Sequence, residues 1–248
     1  MKEPKNINIL IACEESQAIC KEFRKLGYNA FSCDVKLCSG GHPEWHIMSD
    51  CFDCNLITNP PTFFTNSREI KQLNKWDLII ARPPCTYLSN VATRHHSRLC
   101  TTIQKINERT IKRIEAMSFF MRFVTLNCEH IAIENPVGIM NTAYRKPDQI
   151  IDPYMFSKGP EDKENYVTKR TCLWLKGLPE LVPTYRGNYI GNALLFGKDR
   201  RGKNYTWESS GCNGKENKNR SELRSKNFPG IAEAIAKQWG EYLKRENT

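Results

Sequence analysis

Three short apolar runs set the limits on what this chain can fold into. Residues 6–12 (NINILIA), 76–81 (WDLIIA) and 130–133 (HIAI) are rich in isoleucine and too short for helices. Nearly unbroken apolar runs, without strict in–out alternation, are expected of strands buried on both faces of a parallel sheet. After the first run, residues 16–25 form an amphipathic helical pattern with Ala18, Ile19, Phe23 and Leu26 on the inner side. Gly27 falls where a helix C-cap belongs, and a second strand over residues 29–33 ends at Asp34. Strand, loop, helix, strand, acid is the order of the nucleotide-binding half of a doubly wound, Rossmann-like α/β fold.

Residues 36–75 are rich in turn formers and are expected to be loops around one short strand. Residues 101–127 form a long helical pattern, with Ile103, Ile106, Ile114, Met117 and Phe120 as its apolar positions. From residue 137 to 220 prolines, glycines, lysines and aromatics mix, and only residues 171–175 look strand-like. Residues 198–220 are basic and rich in Gly and Asn, so they read as a loop. A final helix is expected over residues 231–243, with Ile231, Ile235, Trp239, Tyr242 and Leu243 on one face. The expected organisation is a catalytic α/β domain over residues 1–140, a small recognition appendage over 141–220, and a C-terminal helix within 221–248 packing back on the domain.

With 37 Lys and Arg against 27 Asp and Glu, the net charge is +10, which suits an anionic partner such as nucleic acid or simply a soluble surface. No stretch approaches the roughly 18 consecutive apolar residues of a membrane span, so no membrane partner is expected. The start of the chain carries no signal-peptide core, which places the protein in the cytoplasm. Eleven cysteines, an odd number scattered along the chain, do not form the framework of a secreted disulfide-rich fold.

Chemistry concentrates at two strand ends. Arg82-Pro83-Pro84-Cys85 follows the second apolar run, at the edge where open α/β sheets place their sites. Two prolines fix the backbone ahead of the thiol, and a rigidly held nucleophile is what covalent attack requires. A thiol with a pKa of about 8.5 needs a basic or hydrogen-bonding setting to react at neutral pH, which Arg82 helps to provide. Taken alone, such a cysteine is more often a buried loop residue. The third run ends in Glu134-Asn135-Pro136, which alone reads as a turn or cap. A thiol and a carboxyl group on one sheet edge are what attack on a pyrimidine uses. The thiolate adds to C6, the acid engages N3, and C5 becomes nucleophilic.

Residues 9–34, 76–90, 131–136 and 225–239 resemble, in order, the motifs of the C5-cytosine methyltransferase superfamily, and are most similar to small phage and prophage members. The resemblance implies a doubly wound methyltransferase sheet, S-adenosylmethionine as cofactor, and a nucleic-acid substrate, DNA first. It implies Cys85 as nucleophile, Glu134 as its partner, and Arg170, in Lys169-Arg170-Thr171, as a residue holding the flipped base. It further implies Asp34 at the cofactor ribose and Asp50 at the adenine, with Pro83 and the first loop completing the donor site. That loop, Cys13, Glu14, Glu15 and Ser16, lacks the glycines that the family carries there. Two carboxylates suit a cationic sulfonium and amino group better than a phosphate.

Other signals compete. Asn59-Pro60-Pro61-Thr62-Phe63 resembles the motif of amino-methyltransferases but is expected to be a loop. Cys38, His42, His46, Cys51 and Cys54 are close enough for zinc, although packing beside the cofactor pocket is favoured and no metal is assigned. Tyr185, Tyr189, Tyr205 and Trp207 either stack on bases or form a hydrophobic cluster. The alternative functions are an amino-methyltransferase, or a non-catalytic nucleic-acid binder that keeps the fold.

Overall fold

A computed structural model describes residues 2–90, 101–162, 164–189 and 228–246. The chain builds β1 (Asn8–Ala12), α1 (Ala18–Lys25), β2 (Asn29–Asp34) and β3 (His46–Met48), followed by a four-residue α2 (Cys54–Ile57). A hairpin of β4 (Thr62–Phe64) and β5 (Ile70–Gln72) precedes β6 (Leu78–Ala81) and α3 (Ile103–Val124). Then come β7 (Ile131–Pro136), α4 (Met140–Ala143), β8 (Gln149–Ile151), β9 (Thr171–Lys176) and α5 (Pro229–Glu246). Seven strands form one sheet in the order β3-β2-β1-β6-β7-β9-β8, with β4 and β5 paired apart. β3, β2, β1, β6 and β7 pair in parallel, whereas β9 runs antiparallel to both β7 and β8. This is a mostly parallel α/β sheet with helices on its faces, compatible with a Rossmann-like fold.

Both faces of the sheet are covered, which explains the unbroken apolar runs. Along a strand, side chains alternate between faces. Ile9, Ile11, Leu78, Ile80 and Ala132 enter one core with Ile19, Cys20 and Phe23 of α1 and Ala232, Ile235, Trp239 and Leu243 of α5. Leu10, Ala12, Ile79, Ala81, Ile131 and Ile133 enter the other, under Phe120 and Phe123 of α3 and Phe63 of the hairpin. The period-2 pattern is therefore present but apolar in both phases. α1 ends at Gly27 in the left-handed region (φ 83°), and Leu26, expected inside, is 47% exposed.

Several expectations are corrected. Residues 36–75 contain three short strands, not one, and the Asn59–Pro60 cis peptide bond leads into β4. Residues 141–189 contribute β8 and β9 to the central sheet itself. In α3 the helix is present, but Ile103 and Ile114 are 57% and 62% exposed, and only Phe120 and Phe123 are buried. The reason is that the side carrying Ile103 and Ile114 points away from the body, which α3 meets through Arg109 and Arg113 at Tyr87 and through Phe120 and Phe123 at its C-terminal end. There Phe120 packs edge-on against Trp174 and Phe123 against Phe52, with ring centroids 5.1 and 4.4 Å apart. The 198–220 segment, Tyr205 and Trp207 lie outside the described residues. No described helix is long and apolar enough to cross a membrane.

Trp239 fastens α5 to the sheet: its side chain is fully buried and its indole Nε1 donates to Pro179 O at 3.0 Å. Trp239→Ala removes that bond and leaves a cavity, so it should cost about 3–5 kcal/mol. A urea midpoint within error of wild type would show that α5 does not stabilise the fold.

Candidate active site

The winding of the sheet reverses between β1 and β6, so the loops leaving these neighbouring strands diverge and open a crevice at the carboxyl edge. One wall is the loop after β1, residues 13–17. The other is the loop after β6, residues 82–90, which carries Cys85.

The second loop is clasped to the end of β7. Arg82 Nε donates to Glu134 Oε2 at 2.6 Å across 52 residues of sequence. Asn135 Nδ2 donates to Pro83 O at 2.7 Å in a buried position, leaving Asn135 Oδ1 buried without a described partner. Further out, Ile139 N donates to Leu88 O at 2.8 Å, Asn90 N donates to Val137 O at 3.1 Å, and Ser89 bridges Gly138. A Cβ at Gly138 would stand 2.0 Å from Leu88 O, so the two loops approach this closely only over glycine. The loop bearing the thiol is thus held to the strand bearing the carboxylate by both side chain and backbone.

Strand parity decides which side chains face one another. β9 pairs antiparallel with β7 and sets Leu173 opposite Glu134 and Thr171 opposite Pro136. Glu134 therefore shares a face with Ala132, Leu173 and Thr171, and stepping back by two adds Lys169. Lys169, Glu134 and Arg82 indeed line one cavity of about 30 Å³ beneath α5, room for water but not for a pyrimidine ring. Arg170 falls in the other phase and is exposed, with its charge felt by Asp152. The residue that joins Glu134 is Lys169, missed because parity across an antiparallel pair needs the register. An alternation count from Leu173 would have found it.

Cys85 is exposed at the crevice. Desolvation by the surrounding loop pushes its thiol up, and the Glu134 carboxylate adds to this, while Lys169 and Arg82 pull it down. Arg82 is held charged because Glu134 and Glu14 outweigh its burial.

On the opposite wall, the glycine-free loop makes its turns with Cys13 at φ 61° and Gln17 at φ 57°, a left-handed geometry that costs about 1–2 kcal/mol per non-glycine residue. Compensating contacts are visible. Gln17 Nε2 donates to His42 O at 2.8 Å, and His42 N donates to Gln17 Oε1 at 3.0 Å. Gly40 permits this, since a Cβ there would lie 2.5 Å from Gln17 Oε1. Glu14 turns inward rather than toward the crevice: it is 1% exposed and accepts from Ile19 N at 2.8 Å and Cys20 N at 3.2 Å, capping α1. Glu15 and Ser16 remain half-buried at the loop tip. Asp34, half-buried at the end of β2, accepts from Lys36 N through Oδ1, and burial raises its carboxyl pKa. Asp50 is exposed after β3 and accepts from Phe52 N.

Cys13, Cys33 and Cys51 meet beneath this wall, with the Cys13 and Cys51 sulfurs 3.8 Å apart. Contact with the Cys51 sulfur, together with burial, pushes the Cys13 and Cys33 thiols well up, so both stay protonated. His46 is fully buried between Ser32 Oγ and Lys36 O, whereas His42 stacks on Trp45 and pairs with Glu44. Among the described residues no cluster of His, Cys, Asp and Glu is placed to hold a metal. Tyr185 and Tyr189 pack on Tyr166, with Tyr154 beside them, as a hydrophobic cluster.

Burial raises the Glu14 pKa from 4.5 to about 7, against the opposing pull of Arg82 and the two backbone bonds. Between these values the folded state binds the extra proton, so stability falls as pH rises from 4.5 through 7, by about 3 kcal/mol in all. Glu14→Gln keeps an acceptor oxygen without the charge and should flatten this slope. Urea titrations at pH 5 and pH 8 test it: equal pH dependence in both proteins would contradict the assignment.

The chain matches no protein-family model, and no curated protein matches it.

Proposed function

We propose that this chain is a cytosine-C5 methyltransferase-like enzyme acting on nucleic acid, with S-adenosylmethionine as donor and Cys85 as nucleophile. The observation that carries the reading is the clasp: the proline-held Cys85 loop and Glu134-Asn135 are joined at one carboxyl edge, beside the reversal of the winding. An acid at the end of β2 and a second after β3 suit the ribose hydroxyls and the purine of such a donor, and support the cofactor assignment. Glu14 takes no direct part, since its oxygens cap α1.

S-adenosylmethionine supplies an electrophilic methyl group. The residues do the rest. Glu134 accepts from Arg82 through Oε2, and its remaining lone pairs would accept from the exocyclic amine of cytosine, whereas the C4 carbonyl of uracil or thymine would face a like acceptor. A base that reaches Glu134 from the Cys85 side, outside the water-sized cavity beneath α5, would engage one of the two causes that push the thiol up; burial is the larger, and Lys169 and Arg82 oppose both. The thiol proton passes to water, the Cys85 sulfur gives the electron pair that forms the bond to C6, and the C5=C6 π pair shifts to C5. Once C5 is alkylated, the C5 proton passes to water, its C–H pair rebuilds the C5=C6 bond, and the C6–S pair returns to the sulfur. Such an attack requires the base to leave the stack.

A second reading, a nucleic-acid binder without donor chemistry, is favoured by the glycine-free loop and the inward Glu14. Calorimetric titration with S-adenosylmethionine separates the two: the enzyme reading expects heat, reduced about tenfold or more in affinity by Asp34→Ala. Base-resolution mapping of DNA from expressing cells should show 5-methylcytosine for wild type and none for Cys85→Ser. Glu134→Gln should lower the rate about 100-fold. Methylation retained by Cys85→Ser, or methylation at the exocyclic nitrogen, would overturn the assignment.

A further inference from the structure

Outside the crevice, the most unusual feature is the N-terminal part of α3. One side of its first turns is turned to solvent, with Ile103, Ile111 and Ile114 57–62% exposed. At 100° per residue, Lys105, Arg109, Lys112 and Arg113 fall within one arc on the opposite side. They span about 12 Å of helix, the axial length of three to four nucleotides.

Three of these cations, Arg109, Lys112 and Arg113, face the Cys85 loop. The Arg109 guanidinium lies 5.1 Å and the Lys112 ammonium 5.9 Å from the ring centre of Tyr87, and Arg113 Nε donates to Tyr87 O at 3.1 Å. Tyr87 stands two residues from the nucleophile. Among the described residues no carboxylate pairs with any of the four cations. Arg109 Nε is shielded from solvent and has no described hydrogen-bond partner. Glu108 and Glu115 border this arc, but neither forms an ion pair with the four cations, which leaves the ammonium and guanidinium groups open to another anion. A polyanion of matching spacing is such an anion.

We propose that the basic face of α3 is a docking surface for the phosphate backbone of a nucleic-acid strand, which it tracks past Tyr87 to Cys85. The inference rests on the methyltransferase reading only for the direction of the strand, because phosphate binding itself needs no chemistry at Cys85. A single strand threading the face would also present its bases to Tyr87 for stacking.

The test is fluorescence anisotropy of labelled duplex DNA, single-stranded DNA and single-stranded RNA of one sequence, titrated with the full chain over a range of salt. Wild type is compared with the Lys105→Ala/Arg109→Ala/Lys112→Ala variant and with Lys25→Ala/Lys71→Ala/Lys237→Ala. The second variant loses equal charge far from α3, and circular dichroism melts confirm that each protein folds. For at least one nucleic acid, the α3 variant should bind at least about tenfold more weakly. Its salt slope should fall by about 2 to 3, because three phosphates keep their counterions, while the control stays within about twofold of wild type. The strand type bound most tightly identifies the physiological class. Equal losses in the two variants, or no binding by wild type to any strand, would overturn the proposal. Binding through α3 without methylation would leave this proposal standing and remove the enzymatic one.

Discussion

Everything at the carboxyl edge depends on one guanidinium. Arg82 pairs with Glu134 at 2.6 Å and feels the charge of Glu14, so a single cation joins the Cys85 loop, the end of β7 and the loop after β1. The Arg82 and Glu134 side chains are only 15% and 20% exposed. Removing one partner of such a pair strands the other charge in a poorly solvated place, which costs far more than the pair contributes. The clasp therefore persists because its alternatives are worse. It also holds the Cys85 loop beside Glu134, whose charge adds to burial in pushing the thiol up.

Much of the fold was legible because the strands are covered on both faces. Runs such as NINILIA and WDLIIA can hardly be anything else, and β1, β2, β6 and β7 fall at their expected places. The short strands β3, β4, β5 and β8 were not legible, because three residues carry too little pattern. In α3 the helical period was plain but its buried face was not. Ile103, Ile106 and Ile114 suggest a core contact, yet Ile103 and Ile114 lie on the side away from the Arg109 and Arg113 contacts with Tyr87. Cys85 and Glu134 could be paired from their strand-end positions, whereas choosing Lys169 over Arg170 needed the β7–β9 register.

The loop after β1 shows a different limit. The loop lacks glycines, yet Cys13 and Gln17 adopt left-handed turns, held by the His42 backbone and by Gly40 from the following crossover. Shape is thus maintained by packing, while side-chain chemistry changes: a buried acid caps α1, and three thiols line the floor. The result is a wall less polar than its sequence suggests. Of the two carboxylates on that loop, Glu14 serves the helix.

The most direct measurement is mass spectrometry of the protein after incubation with S-adenosylmethionine and oligonucleotides carrying 5-fluorocytosine. Fluorine at C5 cannot leave as a proton, so the elimination that releases the sulfur is blocked. A covalent adduct mapped to the peptide containing Cys85 is the expected result, and it should be absent from Cys85→Ser. An adduct on any other cysteine, or none despite measurable binding of both donor and oligonucleotide, would contradict the assignment of Cys85 as the nucleophile.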